Sequence, residues 1–247
     1  MEKKSLTIIS RSDNQLKKSL NALKQASIFI PHKKVIFFTS KNNYKKLRGS
    51  NLSIIKVDPI FSSKDYSRFI IYELYKYIET THALIVQWDG KILNPSKWTE
   101  DFLNFDYIGA PLIPRNDDFE YCRDEFNSFY TVGCGGFSIR SKELLKAPTK
   151  YNLKDNFKYT NTHEDGFFCV LHRKFLESRG FVWADYCTAK KFCIESPLSF
   201  RDFLSLPLGF HGRKMLIISK FLSIPIFLLN LKIYIDLLIT KLKGNTK

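Results

Sequence analysis

The sequence predicts an α/β fold, a mostly parallel sheet flanked by helices. Over the first 90 residues, apolar runs of strand length alternate with segments of helical spacing. The runs are nearly continuous in apolar residues, as strands covered on both faces require. The chain, 247 residues and 44% hydrophobic with 37 aromatics, can bury a sizeable core, which excludes wholesale disorder.

The elements follow in order. Leu6–Ser10 is a short apolar run. Asp13–Ser27 has helical spacing, with Leu16, Leu20, Leu23 and Ala26 on one face. Lys34–Ser40 (KVIFFTS) is β-rich, and Ser53–Val57 is a second such run, closed by Asp58-Pro59. Ser63–Thr80 is helical in spacing through Tyr66, Phe69, Ile70, Leu74, Tyr77 and Ile78. His82–Trp88 (HALIVQW) is the most apolar run, and the whole reads as βαβαβαβ. In such sheets ligands bind beyond the carboxyl ends of the strands. Asp89 follows the most apolar strand directly.

From residue 106 the pattern is irregular: DYIGAPL, a polar acidic loop at 116–128, then VGCGGFSIRS. Helical spacing returns at Glu164–Ser178, and FVWADY at 181–186 reads as a short strand. Residues 1–214 are expected to form the domain. Residues 215–247 form a basic hydrophobic tail, interrupted by Lys220, Asn230, Lys232 and Asp236 and carrying Pro225. It has no run of 18 apolar residues, which argues against a conventional transmembrane helix. It reads equally as an amphipathic helix on a membrane surface or as an element packed on the domain.

The formal net charge is +15. Residues 1–50 hold 12 basic and 2 acidic side chains, and residues 215–247 hold 5 and 1. The middle, with 22 and 21, is nearly neutral. A nucleic-acid partner is therefore not expected, since no recognition signature accompanies the basic ends. Five cysteines without a CxxC pair argue against a disulfide framework or zinc ribbon and for reduced thiols in the cytoplasm. After MEKKSLTIIS the chain turns polar at once, unlike a secretory signal.

Four constellations have chemical potential. In Gln87-Trp88-Asp89-Gly90, a carboxylate on a Gly turn is suited to a hard divalent ion, although Asp-Gly also simply starts turns. Gly133-Cys134-Gly135-Gly136 lets a backbone approach a ligand or turn sharply into a strand, and its spacing is neither GxGxxG nor a P-loop. His163-Glu164-Asp165-Gly166 opens an apolar helix, where acidic residues serve as caps or, as a pair, as a general base. Gly209-Phe210-His211-Gly212 offers a metal or anion contact, or an ordinary loop histidine. Arg68 is a candidate donor-phosphate contact or a surface ion pair.

In this order, QWDGKILNPSKW, DYIGAPL, VGCGGFSIRS, EDGFFC and GFHG resemble a bacterial family of uncharacterised glycosyltransferase-like domains. The resemblance covers about residues 5–213 and extends, more distantly, to fringe-type and β1,3-galactosyltransferases of the GT-A type. It implies a GT-A-like fold and transfer from a nucleotide-sugar donor to a glycan or lipid-linked acceptor in cell-surface polysaccharide or lipopolysaccharide synthesis, with inversion at the anomeric carbon. It implies that Asp89 and His211 hold a divalent cation, Mn²⁺ or Mg²⁺. Gln87 stands where the first acidic residue of the DxD motif is expected, and it and Gly90 become donor contacts. Asp165 becomes the base, Glu164 an acceptor or positioning contact, and Gly135 and Gly136 the loop beside the acceptor. A catalytically inactive sugar-nucleotide-binding domain is the alternative. Attachment to an anionic membrane surface on the cytoplasmic side is the expected localisation.

Overall fold

Strands β1 (Leu6–Arg11), β2 (Lys34–Thr39), β3 (Ser53–Lys56) and β4 (His82–Val86) pair in parallel, in the spatial order β3-β2-β1-β4. Two further strands, β6 (Tyr107–Ile108) and β7 (Phe137–Ser141), complete a six-stranded sheet of order β3-β2-β1-β4-β7-β6. β7 runs antiparallel to both of its neighbours. The mostly parallel α/β sheet is thus as expected, with an antiparallel edge. The computed structural model describes residues 4–47, 52–112, 122–124, 126–155, 163–195 and 205–221.

The near-continuous apolar strands serve two cores. Leu6, Ile8, Phe37, Leu84 and Val86 pack with Ala22, Leu23 and Ala26 of the helix Leu16–Phe29. Their alternates Ile9, Ile36, Phe38, Ala83 and Ile85 pack on the other face with Phe69 and Ile70 of the helix Ser63–Tyr72. Each Leu, Ile, Val or Phe among them contributes about 1.5–3 kcal/mol on full burial. This period-2 division is why an uninterrupted apolar run was the signal.

Local departures have local causes. Ser62 and Asp65 form a capping box at the start of the helix Ser63–Tyr72. The helix stops at Tyr72, short of the Thr80 expected from spacing, and a 3₁₀ turn at Leu74–Tyr77 carries Leu74 and Ile78 into the same core. The crossover from β2 to β3 contains the helix Lys41–Leu47, whose sequence KNNYKKL has almost no apolar face. Asn43 anchors it by donating to the Asp13 carbonyl at 2.9 Å.

FVWADY is not a strand. Trp183 forms a single bridge with Tyr107, their rings stacked at 6.4 Å. Asp185 then caps the helix Tyr186–Phe192, accepting from Thr188 N at 2.9 Å. The expected helix at 164–178 is three pieces, with a π-helical turn at Phe167–Leu171 between Glu164–Gly166 and Arg173–Ser178. The extra residue per turn lets consecutive Phe167 and Phe168 both be buried.

A small second sheet, order β5-β9-β8, joins β5 (Lys91–Ile92), β8 (Cys193–Ile194) and β9 (Gly209–Phe210). The helix Arg213–Phe221 follows, with Met215 buried against Leu93, Ile194 and Phe210. The domain therefore reaches past 214 into the segment read as a tail. The rest of that segment, 222–247, lies outside the described residues, as does most of the acidic loop at 116–128. Among the described residues no helix is long and apolar enough to cross a membrane.

The strand order reverses direction between β1 and β4, since β2 and β3 lie to one side and β4 to the other. A crevice forms outside the carboxyl ends at such a switch point. Asp89 lies just beyond β4 at this place.

Candidate functional site

The antiparallel register of β7 decides what meets Asp89. Val86 pairs with Phe137, so the residues before Phe137 continue past the end of β4. Gln87 N donates to the Gly136 carbonyl at 2.8 Å, and Gly90 N closes the turn onto the Gln87 carbonyl at 3.0 Å. The Gly135-Gly136 loop thus sits beside the QWDG turn.

The same loop contacts the other two constellations. A Cβ on Gly136 would lie 2.0 Å from His211 Nε2, and one on Gly135 would lie 2.2 Å from Glu164 Oε1. Gly135 N donates to Asp165 Oδ2 at 3.0 Å, and Gly166 N donates to Asp165 Oδ1 at 2.9 Å. Only glycine leaves room for these neighbours. Gly136→Ala is expected to leave the chain folded but to push the His211 ring away from Asp89. The displaced ring should appear as a shifted His211 imidazole signal by NMR, with the circular dichroism spectrum unchanged.

His211 lies between two carboxylates. Its Nε2 is 3.4 Å from Asp89 Oδ1, and its Nδ1 is 3.5 Å from Glu195 Oε1. Burial pushes the imidazole pKa down, but the two carboxylates outweigh it and hold it up, at about 10. Asp89 Oδ1 is buried with no hydrogen-bond partner among the described residues. Without an ion the two carboxylates keep the ring protonated; a divalent ion between Asp89 Oδ1 and Nε2 would take the place of the Nε2 proton. Among the described residues no three His, Cys, Asp or Glu side chains gather as a complete metal site. The fit is therefore to an ion held by Asp89 and His211, with phosphate and water oxygens filling its shell.

Beneath the loop, Glu164 Oε1 accepts from Arg140 Nη2 at 3.0 Å, both side chains essentially buried. Burial raises the Glu164 carboxyl above its ordinary range, the Arg140 charge opposes this, and Asp165 adds to the rise. Arg140 is wedged over the rings of Tyr107 and Phe168, at 5.0 and 5.3 Å. Tyr66 reaches the same region from the helix Ser63–Tyr72. Burial first, then the Glu164 charge, pushes its phenol pKa well up.

Arg68 lies apart from these groups, in an ion pair with Asp155 at 2.9 Å. It lines a cleft of about 670 Å³ with Arg11, Asp58, Phe61 and Asp65, at the carboxyl ends of β1 and β3. Trp88, next to Asp89, lies beneath Lys18 at 4.8 Å and Arg213 at 5.5 Å. Lys18 belongs to the basic N-terminal segment, so part of that charge stands at the site rather than remote from it.

The structure therefore gathers Gln87, Asp89, Gly90, Gly135, Gly136, Glu164, Asp165 and His211 and leaves Arg68 at the neighbouring cleft. Sequence reasoning gave no site role to Glu195, Arg140, Tyr66 or Cys134. Arg140 looked like one charge in a strand, FSIRS, and only its complete burial marks it. Glu195 is a lone carboxylate whose neighbour comes from a different strand.

Comparison with known proteins gives one family match. The family model described as "Protein of unknown function (DUF5672)" matches residues 51–211. No curated protein matches the chain. Among solved structures it is similar to a glycosyltransferase involved in glycosylation of the major capsid of PBCV-1. That pair has 13% identity and a TM-score of 0.44, covering 84% of this chain and 92% of that one. A CMP:2-keto-3-deoxy-manno-octonic acid synthetase complexed with CTP matches at 10% identity and TM-score 0.44, covering 72% and 88%. A mannosyltransferase from Pyrobaculum calidifontis in complex with GDP-Man and Mn²⁺ matches at 9% and 0.44, covering 74% and 55%. Likenesses this remote decide nothing about activity.

Proposed function

The chain belongs to the DUF5672 family, and from its own site we propose that it is a glycosyltransferase of GT-A-like architecture, moving a sugar from a nucleotide-sugar donor to an acceptor hydroxyl. One observation supports this most directly. Four constellations far apart in sequence meet around the Gly135-Gly136 loop at the switch point of a parallel sheet.

The roles follow from position. The cleft beyond β1 and β3, with Arg11, Phe61 and Arg68 on its walls, takes the nucleotide. Arg68 suits a phosphate because a guanidinium offers paired donors. Lys18 and Arg213 beside Trp88 add positive charge where the diphosphate would pass Asp89. Asp89 and His211 would hold Mn²⁺ or Mg²⁺, which when bound offsets charge on the leaving diphosphate. Gln87 and Gly90 shape the turn against the donor. Gly135 and Gly136 form the loop beside the acceptor, and their missing side chains let His211 and Glu164 approach it. Asp165 takes the proton of the attacking hydroxyl, and attack from the face opposite the diphosphate inverts the anomeric carbon. Glu164, fixed by Arg140, holds the acceptor side in place.

The acceptor is a glycan or lipid-linked glycan of cell-surface polysaccharide or lipopolysaccharide synthesis, presented at the cytoplasmic face of a membrane. The exposed lysines of the helices Leu16–Phe29 and Lys41–Leu47 support an anionic surface as partner. Each lysine near such a leaflet contributes roughly 1 kcal/mol. Because Met215 belongs to the folded domain, the informative truncation removes 222–247 only. That truncation is expected to shift the protein from the membrane fraction to the soluble one. An intact chain that is already soluble at low salt sinks the membrane reading.

The test of function is release of nucleoside phosphate from a panel of UDP-, GDP- and CMP-sugars with Mn²⁺, in wild type and Asp89→Ala. At least one donor should be consumed by wild type and spared by the variant. Binding without turnover would indicate the inactive binding domain instead. Neither binding nor turnover with any donor overturns the reading.

A further inference from the structure

The small sheet brings three distant chain segments to one rung. β5 pairs antiparallel with β9 through Lys91 and Phe210, and β8 pairs parallel with β9 through Ile194 and Phe210. Asp89 precedes β5, Glu195 follows β8, and His211 follows β9, so all three leave the sheet at the same end. His211 N donates to the Ile194 carbonyl at 3.0 Å, which locks the histidine backbone beside Glu195.

Glu195 uses both oxygens. Oε1 is 3.5 Å from His211 Nδ1, the nitrogen turned away from Asp89. Oε2 accepts from the Cys134 thiol at 2.8 Å. Cys134 is buried and has φ +52°, a conformation uncommon outside glycine, immediately before Gly135 and Gly136. One carboxylate is thus tied to the ring of His211 and to the root of the glycine loop.

The geometry points to Glu195 as the positioning residue of His211. Glu195 Oε1 lies at ion-pair distance from Nδ1, which has no hydrogen-bond partner among the described residues, and its charge draws that side of the ring so that Nε2 faces Asp89. Through Cys134 it holds the loop that abuts the same ring. A carboxylate on the distal nitrogen of a ligating histidine orients the ring and raises its basicity. The consequence for ion binding rests on the proposed role of Asp89 and His211, whereas the orientation of the ring does not.

The Glu195 side chain is 42% exposed, so its replacement leaves the cores intact. The test uses the full chain without donor, with Glu195→Ala and Glu195→Gln. Mn²⁺ affinity is read by electron paramagnetic resonance. The His211 Nδ1–H proton is read by NMR and assigned by its absence in His211→Gln. Wild type should show a slowly exchanging Nδ1–H signal, because that nitrogen is buried beside Glu195. Glu195→Ala should lose it and bind Mn²⁺ about 10–100-fold more weakly. Glu195→Gln, whose amide oxygen still accepts, should keep the signal and lose less affinity. Glu195→Ala with the signal retained, or with wild-type Mn²⁺ affinity, overturns the proposal. If no protein binds Mn²⁺ but the signal still depends on Glu195, the ion reading fails and the orienting role stands.

Discussion

Asp165→Asn is expected to lower sugar transfer by ~10²–10⁴-fold, the usual contribution of a positioned base. The variant keeps the shape of the side chain but not its two acceptors. Asp165 receives one N–H from Gly135 and one from Gly166. An asparagine can satisfy one of them and turns its own NH₂ toward the other. The mismatch should cost on the order of 1–3 kcal/mol of stability. Two measurements separate the effects. Donor binding by calorimetry should be unchanged, because the donor cleft lies beyond β1 and β3. Single-turnover transfer should collapse. Full turnover in a folded Asp165→Asn protein would remove Asp165 from the role of base.

The second large effect concerns stability. Glu164→Leu leaves the Arg140 guanidinium buried without its counter-charge, which should cost about 3–5 kcal/mol. Arg140 has few alternatives. Its other contacts are Ser138 Oγ at 3.3 Å and the faces of Tyr107 and Phe168. The double variant Arg140→Met/Glu164→Leu should be more stable than the Glu164→Leu single variant, since it removes the stranded charge. Urea denaturation of the three proteins checks this. A single-variant loss below about 1 kcal/mol would mean that the pair is solvated. The pair is more than structural filler: it clamps the strand β7 that delivers Gly135 and Gly136 to the site.

The parallel half of the sheet was legible because it obeys local rules. Strands such as HALIVQW are apolar throughout, and Leu16, Leu20, Leu23 and Ala26 repeat at helical spacing. FVWADY misled because tertiary contact overrode propensity: Trp183 stacks on Tyr107, and Asp185 is better placed as a cap. The helix Lys41–Leu47 left little signal because solvent covers most of it. At the site, Asp89 and the glycine pair could be singled out by their position after or before strands. Glu195 could not, because its importance depends on the β8–β9 pairing, a contact between segments that no local pattern announces. The charge distribution also needed the fold. Lys18 counts among the basic residues of the first fifth of the chain, yet its ammonium stands over Trp88.

The β5-β9-β8 sheet also has a consequence for how the protein is made. Ribosomal synthesis proceeds from the N-terminus, and β1 to β4 can pair once residue 86 has emerged. Asp89 is already present then, but Glu195 and His211 are still unmade. Closing so long a loop is entropically slow compared with forming neighbouring βαβ units. The nascent chain therefore acquires its architecture first and its reactive centre last. Any polypeptide released before residue 211 lacks the histidine, so under the proposed function premature termination leaves Asp89 without its partner at the ion site.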